Sequence, residues 1–240
     1  MLRPHSPRQD VGLASRHTSL RRLSRAALLV LGLLLSAHGA LGAEEKTLAL
    51  PPADSPAGWQ PYKAKHGIAV ERRAVPGSRF FEYRASISAP AAPEAILDHM
   101  WHFVGEGKSP IIKKRQVLKQ EPTEMIMYDQ VKTPVVSDRD YTLRVRRVTD
   151  PSSHRCQMIF ETVNQLGPPV DPKYVRIPAI RGRWLIEPDD KGGSRLTYQS
   201  FSEPGGSIPA FLIHGAQFDQ IVHDVEGLLQ RLSTLPKAAQ

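Results

Sequence analysis

A few residues of this chain carry side chains that could bind a metal or move a proton. His99 and His102 lie three apart in a segment with helical periodicity, but no third ligand follows at a recognisable spacing, so no metal site is predicted. Asp219 and His223 are four apart on a second predicted helix, where a surface contact is favoured over acid–base catalysis. Cys156 is the only cysteine, so no intrachain disulfide forms, and it is predicted to pack within a strand as a small hydrophobic residue.

The sequence offers little else that points to catalysis. It contains no nucleophile elbow, no phosphate-binding loop and no paired zinc-ligand motif. We therefore predict no catalytic residue, no metal and no cofactor. The residues of interest are instead apolar and aromatic side chains that alternate along strands, because pockets for small molecules are mainly apolar with a few polar anchors.

These side chains are positioned by elements that the periodicity of the sequence defines. Alternation with a period of two predicts eight strands, and apolar residues at helical spacing predict two helices. The strands are predicted at 68–75, 80–88, 111–119, 125–133, 141–149, 156–164, 176–187 and 194–202, and the helices at 93–103 and 207–235. Short connections between the middle strands favour antiparallel neighbours. The order predicts an α+β fold in which an antiparallel sheet packs against the last helix.

The alternation also predicts which side chains face the concave side of the sheet. Strands 125–133, 141–149 and 176–187 place Met, aromatic or branched aliphatic residues on one face and charged residues on the other. Asp129 could be a polar anchor on the inner face or a solvated residue at the sheet edge, and the latter is favoured. The predicted cavity lining is Met127, Asp129, Leu143, Val145, Met158, Phe160, Trp184, Tyr198, Phe211, Phe218 and Val222.

The first 42 residues have the composition of a secretory signal. Six Arg and one acidic residue precede a short apolar stretch and then small residues. An uncleaved membrane anchor is the alternative, although a span needs about 20 apolar residues. Without this segment the net charge falls from +8 to +3, which removes most support for a nucleic-acid partner. We expect a secreted or periplasmic protein with a cleaved signal at 1–42, a flexible linker at 43–56, one domain at 57–235 and a tail at 236–240.

Two short segments resemble a known family. Residues 137–141, Ser-Asp-Arg-Asp-Tyr, resemble the motif that begins a central strand in START domains, the StAR-related lipid-transfer family. Residues 203–209, Glu-Pro-Gly-Gly-Ser-Ile-Pro, resemble the turn that enters that family's C-terminal helix. The order of elements agrees across 57–235, and Trp184 matches a common aromatic position. The resemblance implies a helix-grip fold, in which a curved antiparallel sheet wraps around a long C-terminal helix and leaves an internal hydrophobic cavity.

Within these segments the charged residues and glycines have distinct expected roles. We interpret Arg139, with Asp138 and Asp140 on either side, as a structural ion-pair cluster at a corner of the sheet, because buried Arg is usually paired with carboxylate. Gly205 and Gly206 are expected to set how the last helix meets the cavity.

The resemblance implies lipid or sterol binding, with one departure. Sterol-binding members carry a buried Arg six residues after the motif Arg, and Val145 occupies that position here, which weakens a sterol assignment. We therefore predict an exported, non-enzymatic, monomeric lipid-binding and lipid-transfer protein. Its partners would be a lipid or other hydrophobic molecule and, transiently, a membrane surface, with loop 165–175 or the last helix moving for exchange. The alternatives are an aromatase/cyclase-like enzyme on the same fold and an interaction module with a filled core.

Overall fold

A computed structural model provides the structure of this chain. It describes residues 55, 57–106, 109, 111–133 and 136–234. Three predicted segments lie wholly or almost wholly outside the described residues, namely the signal at 1–42, the linker at 43–56 and the tail at 236–240. Neither of the two helices in the described part of the chain is both long and apolar enough to span a membrane.

Ten strands and two α-helices make up the described part of the chain. The strands are β1 (Gln60–Lys65), β2 (Ile68–Ala74), β3 (Phe81–Ala89), β4 (Ile112–Gln120), β5 (Glu124–Val131), β6 (Arg139–Asp150), β7 (Arg155–Thr162), β8 (Val175–Arg176), β9 (Ala179–Pro188) and β10 (Ser194–Glu203). The helices are α1 (Pro93–Val104) and α2 (Ala210–Leu232), and a short 3₁₀ helix spans Asn164–Leu166.

All of these strands belong to one sheet. Its order is β1-β2-β3-β10-β9-β7-β6-β5-β4, and the short β8 pairs in parallel with β6. The other pairings between the described strands are antiparallel. A curved antiparallel sheet that carries its helices on one face is the helix-grip form of an α+β fold, so the predicted fold class is confirmed.

Burial of apolar side chains holds both helices against the sheet. α1 begins at Pro93, whose fixed φ suits a first helical turn, and it buries Ile96, Leu97 and Met100 at helical spacing. Each large apolar side chain that is removed from water contributes about 1.5–3 kcal/mol. On α2 the buried apolar residues recur at the same spacing, at Phe218, Ile221, Val222, Val225, Leu228 and Leu232.

The structure contains one edge strand that the sequence analysis missed. The predicted first strand was 68–75, but β1 precedes it and pairs with β2. All but one of the β1 residues are exposed, so the strand shows no alternation of apolar and polar residues. Tyr62 is the exception, and it packs on the aromatic ring of Phe218 from α2 with 5.8 Å between ring centroids. An edge strand defined by backbone pairing and a single partly buried ring has no local hydrophobic signature.

The start of α2 also differs from the prediction. The helix was expected from 207, but it begins at Ala210 because Pro209 has an extended backbone, with φ −57° and ψ 131°. The three residues that precede the helix therefore belong to the turn.

The two segments that resembled a known family meet at one corner of the structure. The buried guanidinium of Arg139 donates hydrogen bonds to the backbone carbonyl oxygens of Ser137 and, at 3.5 Å, Pro204. The predicted pairing of Arg139 with its flanking carboxylates is wrong, since Asp138 pairs with Lys113 at 2.6 Å. Asp140, the other flanking carboxylate, pairs with Arg176 at 2.8 Å.

The second aspartate of the motif anchors the proline-rich loop that follows the 3₁₀ helix. Asp140 is buried and accepts two hydrogen bonds from Arg176, both at 2.8 Å, and one from the hydroxyl of Tyr128 at 2.9 Å. Arg176 also donates to the carbonyl oxygens of Pro168 and Pro169, at 3.2 and 3.3 Å. Asp140 therefore links the start of β6 to the loop at 165–175 through a single arginine.

The turn before α2 depends on two glycines in the left-handed region. Gly205 has φ +68° and Gly206 has φ +66°, a conformation that side-chain-bearing residues rarely adopt. A Cβ at position 205 would lie 2.9 Å from the carbonyl oxygen of Arg176. The turn therefore packs against β8 as closely as backbone atoms allow.

Replacing Gly205 by alanine should destabilise the protein. The left-handed backbone costs an alanine about 1–2 kcal/mol, and the contact with the Arg176 carbonyl adds to that, so we expect a loss of about 2 kcal/mol or more in the free energy of unfolding. Gly67→Ala is the matched control, because Gly67 has φ +80° but a Cβ added there would meet no atom within 4 Å. Urea unfolding of both variants measures the difference, and equal losses would contradict the close packing of the turn.

Candidate ligand-binding cavity

A cavity of about 650 Å³ lies between the sheet, the C-terminal end of α1 and one flank of α2. Small-molecule sites typically have volumes of about 300–1,000 Å³. Most of its wall is apolar, and side chains from both helices and from β5, β6, β7 and β9 contribute to it, including Met100, Phe103, Met127, Leu143, Val145, Met158, Phe160 and Trp184. The interior therefore offers a large hydrophobic surface to a ligand.

Most of the sheet residues that the alternation assigned to the inner face lie on the cavity wall. These are Met127, Leu143, Val145, Met158, Phe160, Trp184 and Tyr198. The side chain of Phe211 lies outside the described ones. Asp129 is not on the wall, and neither are Phe218 and Val222.

Phe218 and Val222 face the core instead of the cavity. Phe218 packs against Tyr62 of β1, and Val222 is almost fully buried at 2% exposure. The apolar stripe of α2 is directed at the sheet, so the cavity meets the neighbouring flank of the helix. That flank carries Gln220, Asp224, Leu228 and Arg231, spaced by three or four residues. Three of the four are polar, so this flank has no apolar periodicity in the sequence.

Asp129 forms a buried ion pair just behind the wall. Its side chain is fully buried, and its two oxygens accept hydrogen bonds from Nε and Nη2 of Arg115 at 2.7 and 2.5 Å. Arg115 also donates to the carbonyl oxygen of Val104 at the end of α1, and its side chain lines the cavity. The expectation of a solvated edge position for Asp129 is therefore wrong. Strand β4 shields the aspartate, and its charge is neutralised by Arg115.

A second carboxyl group lies on the wall itself. Asp224 of α2 accepts a hydrogen bond from Nε2 of Gln220 at 2.8 Å and one from the hydroxyl of Tyr198 at 3.1 Å. Burial raises the pKa of Asp224 above the usual aspartate range, although both hydrogen bonds act in the opposite direction. Burial, reinforced by the charge of Asp224, also raises the pKa of Tyr198.

Two tyrosines and a tryptophan surround this carboxyl group. Tyr198 stacks on Trp184 with 4.3 Å between centroids and 14° between ring planes, which fixes the direction of its hydroxyl. Tyr141 lines the same cavity, and burial followed by the nearby charge of Asp129 raises its pKa. The tyrosine hydroxyls are therefore neutral hydrogen-bonding groups.

The other residues that were considered for chemistry lie away from the cavity wall. Asp219 pairs with Lys65 at 2.8 Å, so the predicted contact between Asp219 and His223 is replaced by one to β1. Cys156 is fully buried, and burial raises the pKa of its thiol. His99 packs against Phe103 at 4.7 Å, and burial lowers its pKa. Within the described residues no three potential ligands come together at a metal-binding distance.

A sheet that curves over a long C-terminal helix, with an apolar cavity between the two, defines a helix-grip domain. The family model for the START domain matches residues 44–237. The chain belongs to the START domain family, which is a lipid-transfer family.

Individual relatives agree with this assignment. Mouse phosphatidylcholine transfer protein is 28% identical over 69% of this chain and 79% of its own length. An uncharacterized protein of Pseudomonas aeruginosa is 26% identical over 71% of this chain and 84% of its own. The STAR-related lipid transfer protein of Xanthomonas axonopodis, solved as a fragment, superimposes with a TM-score of 0.63 at 27% identity and covers 74% of this chain and 99% of that one. Human STARD10, at 15% identity and a TM-score of 0.63, shares the fold.

Removing one member of the Arg115–Asp129 pair should be costly. Asp129→Asn leaves the guanidinium buried without a counter-charge, and we expect a loss of about 3–5 kcal/mol in the free energy of unfolding. The double variant Arg115→Met/Asp129→Leu should lie within about 1–2 kcal/mol of the wild type, because an apolar pair needs no counter-charge. Urea unfolding of Arg115→Met, Asp129→Leu and the double variant gives the coupling energy, and additive losses would show that the pair is not coupled.

Asp224 should make stability fall as the pH rises. The folded state holds the Asp224 proton more tightly than the unfolded state does, so the stabilisation present at acid pH is lost as the pH rises through the raised pKa. Asp224→Asn should therefore be more stable than the wild type at neutral pH, with the difference shrinking at lower pH. Thermal unfolding between about pH 4 and pH 8 tests this. Asp219→Asn, which removes an exposed carboxylate from the same helix, should give no such gain.

Proposed function

We propose that this protein binds a lipid in the cavity and transfers it between membranes. The observation that carries the proposal is the mainly apolar cavity of about 650 Å³ between the sheet and α2. At about 30 Å³ for a water-sized group, this volume corresponds to about twenty such groups, the scale of a single long hydrocarbon chain. Affinity would come from burial of that chain, at about 25 cal/mol per Å² of apolar surface. The family membership and the name of the mouse relative support this function.

The loop at 165–175 is proposed as the part that opens for exchange and touches the membrane. Leu166 and Val170 are exposed at 46% and 67%, which is a high fraction for large apolar side chains. The loop is linked to the rest of the fold through Arg176 and the carbonyl oxygens of Pro168 and Pro169. Apolar side chains at a loop tip are suited to insertion into the interfacial region of a bilayer. These features support a transient contact with membranes.

The predicted signal at 1–42 supports action outside the cytoplasm, and we propose that the protein carries its ligand through an aqueous extracytoplasmic compartment. An apolar ligand needs a protein cavity in such a compartment because its free concentration in water is very low. Fractionation of cells that express the full chain, with N-terminal sequencing of the product, tests both the location and the cleavage.

A cyclase-like enzyme is the second candidate, because several polar groups converge in the cavity. Asp224, Tyr198 and Tyr141 all lie on its wall, and a carboxyl group with a raised pKa is suited to general acid–base catalysis near neutral pH. The Arg115–Asp129 pair contributes less, since its charges neutralise each other. Multiple turnovers of a linear poly-β-ketone analogue by the full chain, lost in Asp224→Asn, would favour this candidate. Stoichiometric binding without product would oppose it.

The volume of the cavity opposes the third candidate, an interaction module with a filled core.

A variant that blocks the cavity tests the lipid-binding proposal directly. Leu143→Trp places an indole in the cavity and should reduce lipid binding at least tenfold. Val148→Trp is the matched control, because Val148 lies on the outer face of the same strand and is 44% exposed. Native mass spectrometry for co-purified lipid and a vesicle-to-vesicle transfer assay provide the measurements. Thermal unfolding confirms that both variants fold. Equal transfer by both variants would exclude the cavity as the binding site.

A further inference from the structure

Helix α2, which borders the cavity, carries polar groups at positions where apolar side chains would be enough to bind a hydrocarbon chain. Gln220, Asp224 and Arg231 all contribute to the lining from α2. A carboxyl group at such a place costs stability, because burial disfavours its charged form, as the raised pKa of Asp224 shows. A costly polar group on the wall of a binding cavity is typical of a position that selects a ligand.

Asp224 has hydrogen-bonding capacity that the described residues leave unused. An ionised carboxylate offers about four acceptor sites, and Asp224 receives one hydrogen bond at each oxygen, from Gln220 and from Tyr198. Among the described residues, no Lys, Arg or His forms an ion pair with it, in contrast to Asp129 with its bidentate Arg115. The remaining acceptor sites face a cavity with mainly apolar walls.

The surrounding residues hold the carboxyl group in place. The stack of Tyr198 on Trp184 fixes the hydroxyl that binds Oδ2, and Gln220, one helical turn before Asp224, holds Oδ1. Both carboxylate oxygens are thus oriented before any ligand enters. A preorganised acceptor loses little entropy when a ligand group binds to it.

We propose that Asp224 is a specificity-determining residue that binds a hydrogen-bond donor of the lipid, an O–H or N–H group at its polar end. The proposal rests on the proposed lipid-binding function and adds the chemical class of the ligand, a long-chain lipid with a hydroxyl or primary ammonium group. Such a group supplies a donor to an acceptor site that the described groups of the protein leave open. A fatty acid carboxylate would instead be repelled, and a fully methylated head group would leave the acceptor without a donor.

Matched single-chain probes isolate the donor hydrogen. Oleyl alcohol and oleyl methyl ether differ in one O–H, and oleylamine and oleyltrimethylammonium carry equal charge but differ in N–H groups. Dissociation constants follow from displacement of N-phenyl-1-naphthylamine from the full-length chain. We expect the donor member of at least one pair to bind about tenfold more tightly than its methylated partner, since hydrogen bonds to charged groups are among the stronger ones. The pair with the larger difference identifies the source as hydroxyl or ammonium.

Two variants assign the preference to Asp224. In Asp224→Asn the preference should fall below about threefold, because the amide is a weaker acceptor and fills part of the site with its own donor. Asp219→Asn, on the same helix and paired with Lys65 at the surface, should keep the wild-type preference. Equal affinities within both pairs in the wild type, or a full preference in Asp224→Asn, would overturn the inference and leave lipid binding intact. Failure of every probe, including the naphthylamine, to bind would overturn the proposed function together with this inference.

Discussion

The architecture depends on one corner, where the start of β6, the strand β8 and the turn before α2 are joined by buried charged side chains. Arg139 connects β6 to the carbonyl oxygen of Pro204, and Asp140 receives the guanidinium of Arg176. Backbone hydrogen bonds at 2.9 Å, from Val175 to Asp138 and from Ile177 to Asp140, close the same junction. Because α2 follows directly from this turn, the corner determines where the helix crosses the sheet, and the crossing leaves the cavity open.

Two aspartates, one behind the cavity wall and one on it, are held in different ways in this protein. Asp129 is compensated completely by Arg115 and belongs to the framework that joins β4, β5 and the end of α1. Asp224 accepts hydrogen bonds from neutral donors, forms no ion pair with a described residue and borders the cavity directly. The two aspartates therefore differ in role, since the first supports the shape of the wall and the second is the residue that we propose to select the ligand.

Features that follow from the order of residues within one strand or helix could be predicted from the sequence, and contacts between separate elements could not. Alternation along β5, β6 and β9 placed Met127, Leu143 and Trp184 on the inner face, because neighbouring strand residues must point to opposite sides. The contribution of α2's polar flank to the cavity wall was not predicted. The helix faces both the core and the cavity, and only its core-facing apolar stripe has a periodic pattern in the sequence. The contact of Arg139 with Pro204 and that of Asp129 with Arg115 join separate elements, and one sequence does not disclose such contacts.

The double role of Arg176 bears on how long a bound molecule would stay. Its guanidinium is neutralised by Asp140 whether or not the carbonyl oxygens of Pro168 and Pro169 are also bound. Detaching the loop at 165–175 therefore breaks ordinary hydrogen bonds, about 1 kcal/mol net for each, and leaves no charge unpaired. Local openings of this kind can recur many times during the lifetime of the folded state. In the lipid exchange proposed above, release would proceed at a rate set by the loop, while the fold itself persists.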